Sequence, residues 1–301
     1  MKTNLIPSLL AAALFAICST SCEKPFVDST YDGETEIEKG ADEVVVRFNI
    51  DHFEQVAFGD ASKNTRHKEN VANICKRINL AIFSGESRLK SVSQSADDKG
   101  FGSITVSIPK GTYRIVALAH NGLGSATISS PSEIKFKDNK VTDTFYYCDD
   151  VTIAGDESYA LQLQRAVAMF RLVVDDTTPP EVKQLKFFYT GGSSTFDAET
   201  GFGSVNSRQT ELRQVEASAY EGSSQYEVFT FPHSDGKNLK ITVTGLDSQG
   251  GELFERVFDE VPVRINQVTQ YSGSLFGGGQ SHGSGFTFEA DTEWSQEDYE
   301  Y

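Results

Sequence analysis

Residues 161–174 read LQLQRAVAMFRLVV, and this stretch decides the fold class. Its apolar side chains recur at every second position, as on a strand that buries one face, and not at the three-to-four spacing of a helix. The apolar set runs Leu161 and Leu163, then moves to Ala166, Ala168, Phe170 and Leu172. A period-two strand that changes face needs one extra residue, so the pattern predicts a single strand with a β-bulge near Arg165. Read this way, a second structural unit opens with Leu161.

Upstream, residues 44–50, VVVRFNI, place Val46, Phe48 and Ile50 on one face of a half-buried strand. Residues 51–70 are polar, lack a period and include Arg66. Val71, Ile74, Cys75 and Ile78 then fall at helical spacing, which predicts one short helix entering a strand at Ile78, Leu80 and Ile82. Strands follow at Ile104/Val106/Ile108 and at 113–119, joined by a Pro109-Lys110-Gly111 turn, and again at 134–136 and 145–148.

Downstream, Thr177-Thr178-Pro179-Pro180 breaks the chain before a strand at 182–189 and a Gly191-Gly192-Ser193-Ser194 loop. Four more strands read at 226–231, 239–246, 253–258 and 261–268, with Ser248-Gln249-Gly250-Gly251 as a hairpin turn. Short strands at turn-bounded spacing, twice over and without βαβ alternation, predict an all-β chain of two tandem β-sandwiches. Their expected spans are 44–155 and 159–276.

Both ends fall outside that scheme. Residues 277–285, GGGQSHGSG, make a flexible linker, and FTFEA at 286–290 alternates like one isolated strand ahead of Trp294 and an acidic end. Phe286, Phe288 and Ala290 share a face, so with Trp294 they are the candidate partner-strand residues. Such a strand either pairs with an edge on a neighbour or folds back on its own second sandwich.

At the other end, Lys2 precedes LLAAALFAI at 9–17. That run is too short for a bilayer, which takes about 20 residues, and suits a secretory leader. Ser19-Thr20-Ser21-Cys22 sets small residues ahead of a cysteine, like a bacterial lipobox, in which the thiol is acylated and the chain is cut before it. Residues 1–21 therefore read as a lipoprotein signal peptide and Cys22 as the lipidation site. An ordinary signal peptide with an incidental cysteine is the alternative. Residues 22–43 follow as an acidic stalk, with eight acids against two bases from 23 to 43.

The 301 residues carry 43 acidic and 27 basic side chains, a net charge of −16, and no basic stripe, which excludes a nucleic-acid binder. Beyond the leader three cysteines remain, Cys22, Cys75 and Cys148, too few for a disulfide scaffold and without zinc spacing. Cys75 and Cys148 read as separate buried thiols rather than a bridge. Gly279-Gln280-Ser281-His282-Gly283 matches G-x-S-x-G, but it sits in a linker with no histidine downstream, so it is a chance match. The acidic pairs Asp97-Asp98, Asp149-Asp150 and Asp175-Asp176 read as solvated turns rather than calcium ligands. No catalytic residue, metal, cofactor or small-molecule substrate is expected.

Several segments carry a family resemblance. They are Tyr113-Arg114-Ile115-Val116-Ala117 with His120-Asn121, then Arg165-Ala166-Val167-Ala168. Tyr189-Thr190-Gly191-Gly192-Ser193 follows, with Phe196-Asp197 and Thr200-Gly201. Val261-Pro262-Val263, Asn266-Gln267-Val268-Thr269 and Gly273-Ser274-Leu275-Phe276 close the series. In this order and spacing the chain resembles the FimB/Mfa2 fimbrial-subunit family, lipoproteins of Bacteroides-like bacteria, over about residues 44–276.

The resemblance implies two transthyretin-like sandwiches and a structural place in a cell-surface fimbria. The implied role is anchor at the base or accessory subunit, held to the outer membrane by lipid on Cys22 and joined to pilin subunits through strand pairing. In such fimbriae, polymerising subunits lose their first strand to proteolysis. An anchor is expected to keep it, so 44–50 is expected to stay paired, with Arg66 the site if cleavage does occur. A surface glycan-binding lipoprotein is the alternative, with Tyr146, Tyr147, Tyr189 and Tyr220 as its platforms beside Trp294. One Trp in the whole chain favours the fimbrial reading.

Overall fold

In a computed structural model, residues 40, 42–54, 71–277 and 286–291 are described. The chain is all-β, as the alternation predicts. The first half contains β1 (Glu43–Phe53), a four-residue helix α1 (Val71–Ile74), β2 (Arg77–Ser84), β3 (Ser87–Ser95), β4 (Ser103–Pro109) and β5 (Gly111–His120). β6 (Thr127–Ser130), β7 (Glu133–Lys135), β8 (Thr144–Ile153) and β9 (Glu157–Arg165) complete it. Seven of these strands form one sheet in the order β3-β2-β5-β8-β9-β1-β4. Its two arms meet where Phe145 and Tyr146 of β8 pair with Arg165 and Gln164 of β9. Phe48, Ile50, Leu80, Ile115, Phe145 and Leu163 from both arms then pack into a single core.

The second half holds β10 (Ala168–Val174), β11 (Gln184–Thr190), β12 (Thr195–Asp197), β13 (Phe202–Gly203) and β14 (Arg208–Gln214). β15 (Ser224–Thr230), β16 (Leu239–Leu246), β17 (Glu252–Val261), β18 (Val268–Gly273) and β19 (Phe286–Asp291) follow. Two four-stranded sheets, β14-β11-β16-β17 and β15-β10-β18-β19, share a core built around Phe170, Leu172, Phe187, Tyr189 and Val243. Asp247 shapes the predicted hairpin turn, its Oδ1 accepting from the N–H groups of Gln249 (2.8 Å) and Gly251 (2.7 Å).

The halves repeat one topology. β3-β2-β5-β8 and β9-β1-β4 correspond in order and direction to β14-β11-β16-β17 and β18-β10-β15. In each, the leading strand (β1 or β10) has one antiparallel partner (β4 or β15) and one parallel partner (β9 or β18). Each half also carries an inserted pair of short strands, and these join into a fourth sheet, β13-β12-β7-β6. Thr195 and Phe196 of β12 pair with Lys135 and Ile134 of β7. Beneath that sheet lies a third core, in which Phe83, Val116 and Leu118 from the outer face of the first sheet meet Phe136, Phe196 and Phe231.

Residues 161–174 are two strands, which corrects the expected bulge. Ala166 N–H still donates to Thr144 O in the first half (2.8 Å), whereas Val167 O accepts from Asn266 N–H (2.9 Å) in the second. The switch of apolar face is a transfer between sheets, made by two fully buried residues, Ala166 and Val167. The second unit therefore does not open with Leu161. Leu161 and Leu163 belong to the first core and to β9, which pairs with β1 and β8.

Candidate functional site: strand edges and junction

β19 lies at the edge of its sheet, antiparallel to β18. Gln267 O accepts from Met169 N–H (3.0 Å) and Gly273 O from Asp175 N–H (2.9 Å), so alternate residues of β18 turn their main chain towards β10. Val268, Gln270 and Ser272 between them turn theirs the other way. They face Asp291, Glu289 and Thr287 of β19. The C-terminal strand thus folds back on its own sheet. Phe286, Phe288 and Ala290 stand opposite Gly273, Tyr271 and Thr269. Trp294, Cys22 and Arg66 lie outside the described residues.

The segment that leads towards β19 is pinned where it departs. The N–H groups of Leu275, Phe276 and Gly277 all donate to the Asp176 carboxylate at 2.8 Å, and bonds to an ionised acceptor are the stronger kind. Asp176, read from sequence as part of a solvated turn, is a clamp on the chain. Its partners lie about a hundred residues away, and no local pattern announces them.

β1 is bonded along both edges. Residues 43–49 pair antiparallel with β4, and β9 runs parallel on the other side with a register shift between Asn49 and His52. Val44, Val46, Phe48 and Ile50 are buried. Val45 N–H donates to Asp156 Oδ1 at 2.9 Å, which fixes the start of the strand beside the start of β9.

Two of the residues that carry the family resemblance, Arg165 and His120, are buried polar nodes. Arg165, with a side chain 0% exposed, donates from Nε and Nη2 to the two Asp143 oxygens (2.7 and 3.0 Å). Its Nη1 donates to Asn266 Oδ1 (2.6 Å), and its guanidinium lies 4.5 Å from the Phe145 ring centre. One side chain thereby ties the end of β9 to the loop before β18, and Asn266 holds a left-handed backbone (φ 60°) to meet it. At Gly191 (φ 93°) a Cβ would stand 2.2 Å from Asn238 O, so only glycine fits.

His120 is the second node. Its Nδ1 accepts from Gly122 N–H (3.0 Å), which leaves Nε2–H to donate to Asn79 Oδ1 (2.9 Å). Burial, with help from the Arg77 charge, pulls its pKa down from 6.5 to about 4. The folded protein therefore holds His120 neutral, while the unfolded chain takes up a proton as pH falls through about 6.5. The stabilisation is complete above that value and drains away towards pH 4. Native stability is expected to fall by about 3 kcal/mol from this group across the window. Urea unfolding at pH 7 and pH 4 should show a flatter pH dependence in His120→Gln than in the parent. Equal slopes in both chains would contradict the assignment.

Among the described residues no group of three or more His, Cys, Asp or Glu is placed to hold a metal. Cys75 and Cys148 are both free thiols; Cys75 is buried, which pushes it up to about 12, and Cys148 is half-buried. The G-x-S-x-G match lies outside the described residues apart from its setting after Gly277. Asp150 is not in a turn but on β8, paired with Arg114 at 2.7 and 3.0 Å.

A family model for fimbrillin-A associated anchor proteins, Mfa1 and Mfa2, matches residues 43–258. No curated protein matches the chain. Among solved structures, the fimbrial anchor protein Mfa2 from Porphyromonas gingivalis aligns at 10% identity with a TM-score of 0.42, over 83% of this chain and 97% of that one. A candidate cell adhesion protein from Bacteroides eggerthii aligns at 10% identity and TM-score 0.47, over 85% and 97%. A candidate adhesin from Bacteroides ovatus gives 12% identity and TM-score 0.47, over 83% and 96%.

Proposed function

The chain belongs to the family of fimbrillin-A associated anchor proteins, and from that membership we propose that it is the lipid-anchored base or accessory subunit of a fimbria. Cys22 carries the acyl chains, the acidic stalk spaces the fold from the outer membrane, and pilin subunits join it through strand pairing. The observation that supports this reading best is β1, held on both edges with four buried side chains. A subunit that keeps its first strand keeps its covalent link to Cys22, and an anchor needs that link.

The glycan-binding reading loses ground on the same structure. Of the four tyrosine platforms, Tyr189 is fully buried with its hydroxyl donating to Glu211 Oε1 (2.7 Å), and Tyr146 is buried against Phe196. Tyr220 has Lys183 over its ring at 5.0 Å and donates to Val182 O. Those faces are already in use.

Attachment provides the direct test. One acyl chain gives only marginal membrane binding, whereas two or three hold a protein stably. Cys22→Ala is expected to shift the protein almost wholly into the soluble fraction, folded, with fimbriae shed into the medium. A variant that stays on membranes through a high-salt wash would show that the anchor lies elsewhere.

A further inference from the structure

The edge strand β19 covers β18 with a ladder of only six residues, and its connection is far longer than the pairing requires. Phe286 stands opposite Gly273, so closure in place asks for a hairpin loop of about two to five residues. Twelve residues separate the two positions. Asp176 accepts from the chain as far as Gly277, and the sequence between there and Phe286, GGQSHGSG, contains no apolar side chain. Eight residues of Gly/Ser composition average about 14–17 Å end to end, a span that reaches a neighbouring molecule.

The acceptor edge has its own signature. β18 reads VTQYSG without a charge, whereas β14, β15 and β17 at the other sheet edges of this half carry Arg, Glu or Asp. Open edges in natural proteins are protected by charges, prolines or bulges. β18 has none of these and relies on a strand to cover it.

We infer that β18 is an exchange site, where neighbouring copies of this chain on the membrane trade β19, each covering the other's β18. The occupant is a second copy, because the ladder it would form is the one already seen, residue for residue, between 268–273 and 286–291. Reciprocal exchange of an identical element closes with two-fold symmetry and adds no new contact to be optimised. The balance between the two forms is set by concentration. A short tether gives its own strand an effective concentration of about millimolar, so dilute copies stay closed and crowded copies exchange. Lipid on Cys22 confines copies to one surface, and the inference rests on the anchor reading to that extent. A fibre base built from two exchanged copies has two lipid anchors.

The test uses the register. Gln270 stands opposite Glu289. One full-length, lipidated copy carries Gln270→Cys and a second, differently tagged copy carries Glu289→Cys, both with Cys148→Ser. Copper phenanthroline and air take two electrons and two protons from each thiol pair, so a cystine joins the two tags only where β19 of one copy lies on β18 of the other. The expected result is an inter-chain band in membranes, at least about tenfold stronger than with Ser234→Cys replacing Gln270→Cys as a collision control. No such band, a band equal to the control, or a cystine from Gln270→Cys to a different subunit alone would overturn the exchange. The two readings fail separately: Cys22→Ala remaining on membranes sinks the anchor, while the cystine assay reports on exchange whatever the anchor is.

Discussion

Arg165→Ala is expected to lower the unfolding free energy by about 3–5 kcal/mol, the largest loss from any single side chain at the junction. The substitution leaves the Asp143 carboxylate, 13% exposed, without its bidentate partner and Asn266 Oδ1 without its donor. It also opens a space beside Phe145. Most of the cost comes from the stranded charge, because a buried pair replaced on both sides by apolar groups of similar size is often nearly neutral. Arg165→Met with Asp143→Leu should therefore recover a good part of what Arg165→Ala loses. Urea midpoints for the three chains decide the point, and an Arg165→Ala loss below about 1 kcal/mol would mean that the pair does not hold the halves together.

A chain that begins at His67 is expected not to hold the fold as an isolated monomer. It lacks β1, and with it the buried side chains of Val44, Val46, Phe48 and Ile50. At about 1.5–3 kcal/mol each, these supply about 6–12 kcal/mol, comparable with the 5–15 kcal/mol that whole domains have to spare. β4 and β9 would also face each other across an empty place, each with an unpaired edge. Circular dichroism and limited proteolysis of the truncated chain should show loss of a cooperative transition. Protein taken from fimbriated cells should start at Cys22. A cell-associated form starting at His67 would make this a polymerising subunit and overturn the anchor reading.

Alternation made the core strands legible. Residues 44–50 and 104–108 place every second side chain in the first core, so period-two reading finds them. β14 escaped that reading because its inward positions, Gln209 and Glu211, are polar and buried. Glu211 is tolerable there because Tyr189 donates to it, a partner 22 residues away. β3, SRLKSVSQS, escaped for the opposite reason: as an edge strand it is mostly solvated and has few apolar side chains to alternate. The junction could not be seen locally at all. Arg165 and Asn266 lie 101 residues apart in sequence, and the passage from β9 to β10 looks like one strand until their partners are known. At 286–290 the alternation revealed a strand but not its acceptor, since that depends on which edge the rest of the fold leaves uncovered.

β1 also has a mechanical meaning. On the proposed anchor role, drag on the fibre would arrive as tension at Glu43, the first residue of a strand flanked on both sides. A hairpin at a sheet margin peels open bond by bond under a small force, like a zip. A strand drawn lengthwise from between two neighbours is loaded in shear, and the bonds of both ladders share the pull and must give way nearly together. Beyond β1 the load passes into the second half through two short strands, β7 and β12, and a shared core rather than through a bare linker. In that role the fold from β1 onward would work as a tie-rod, stiff along the line of pull.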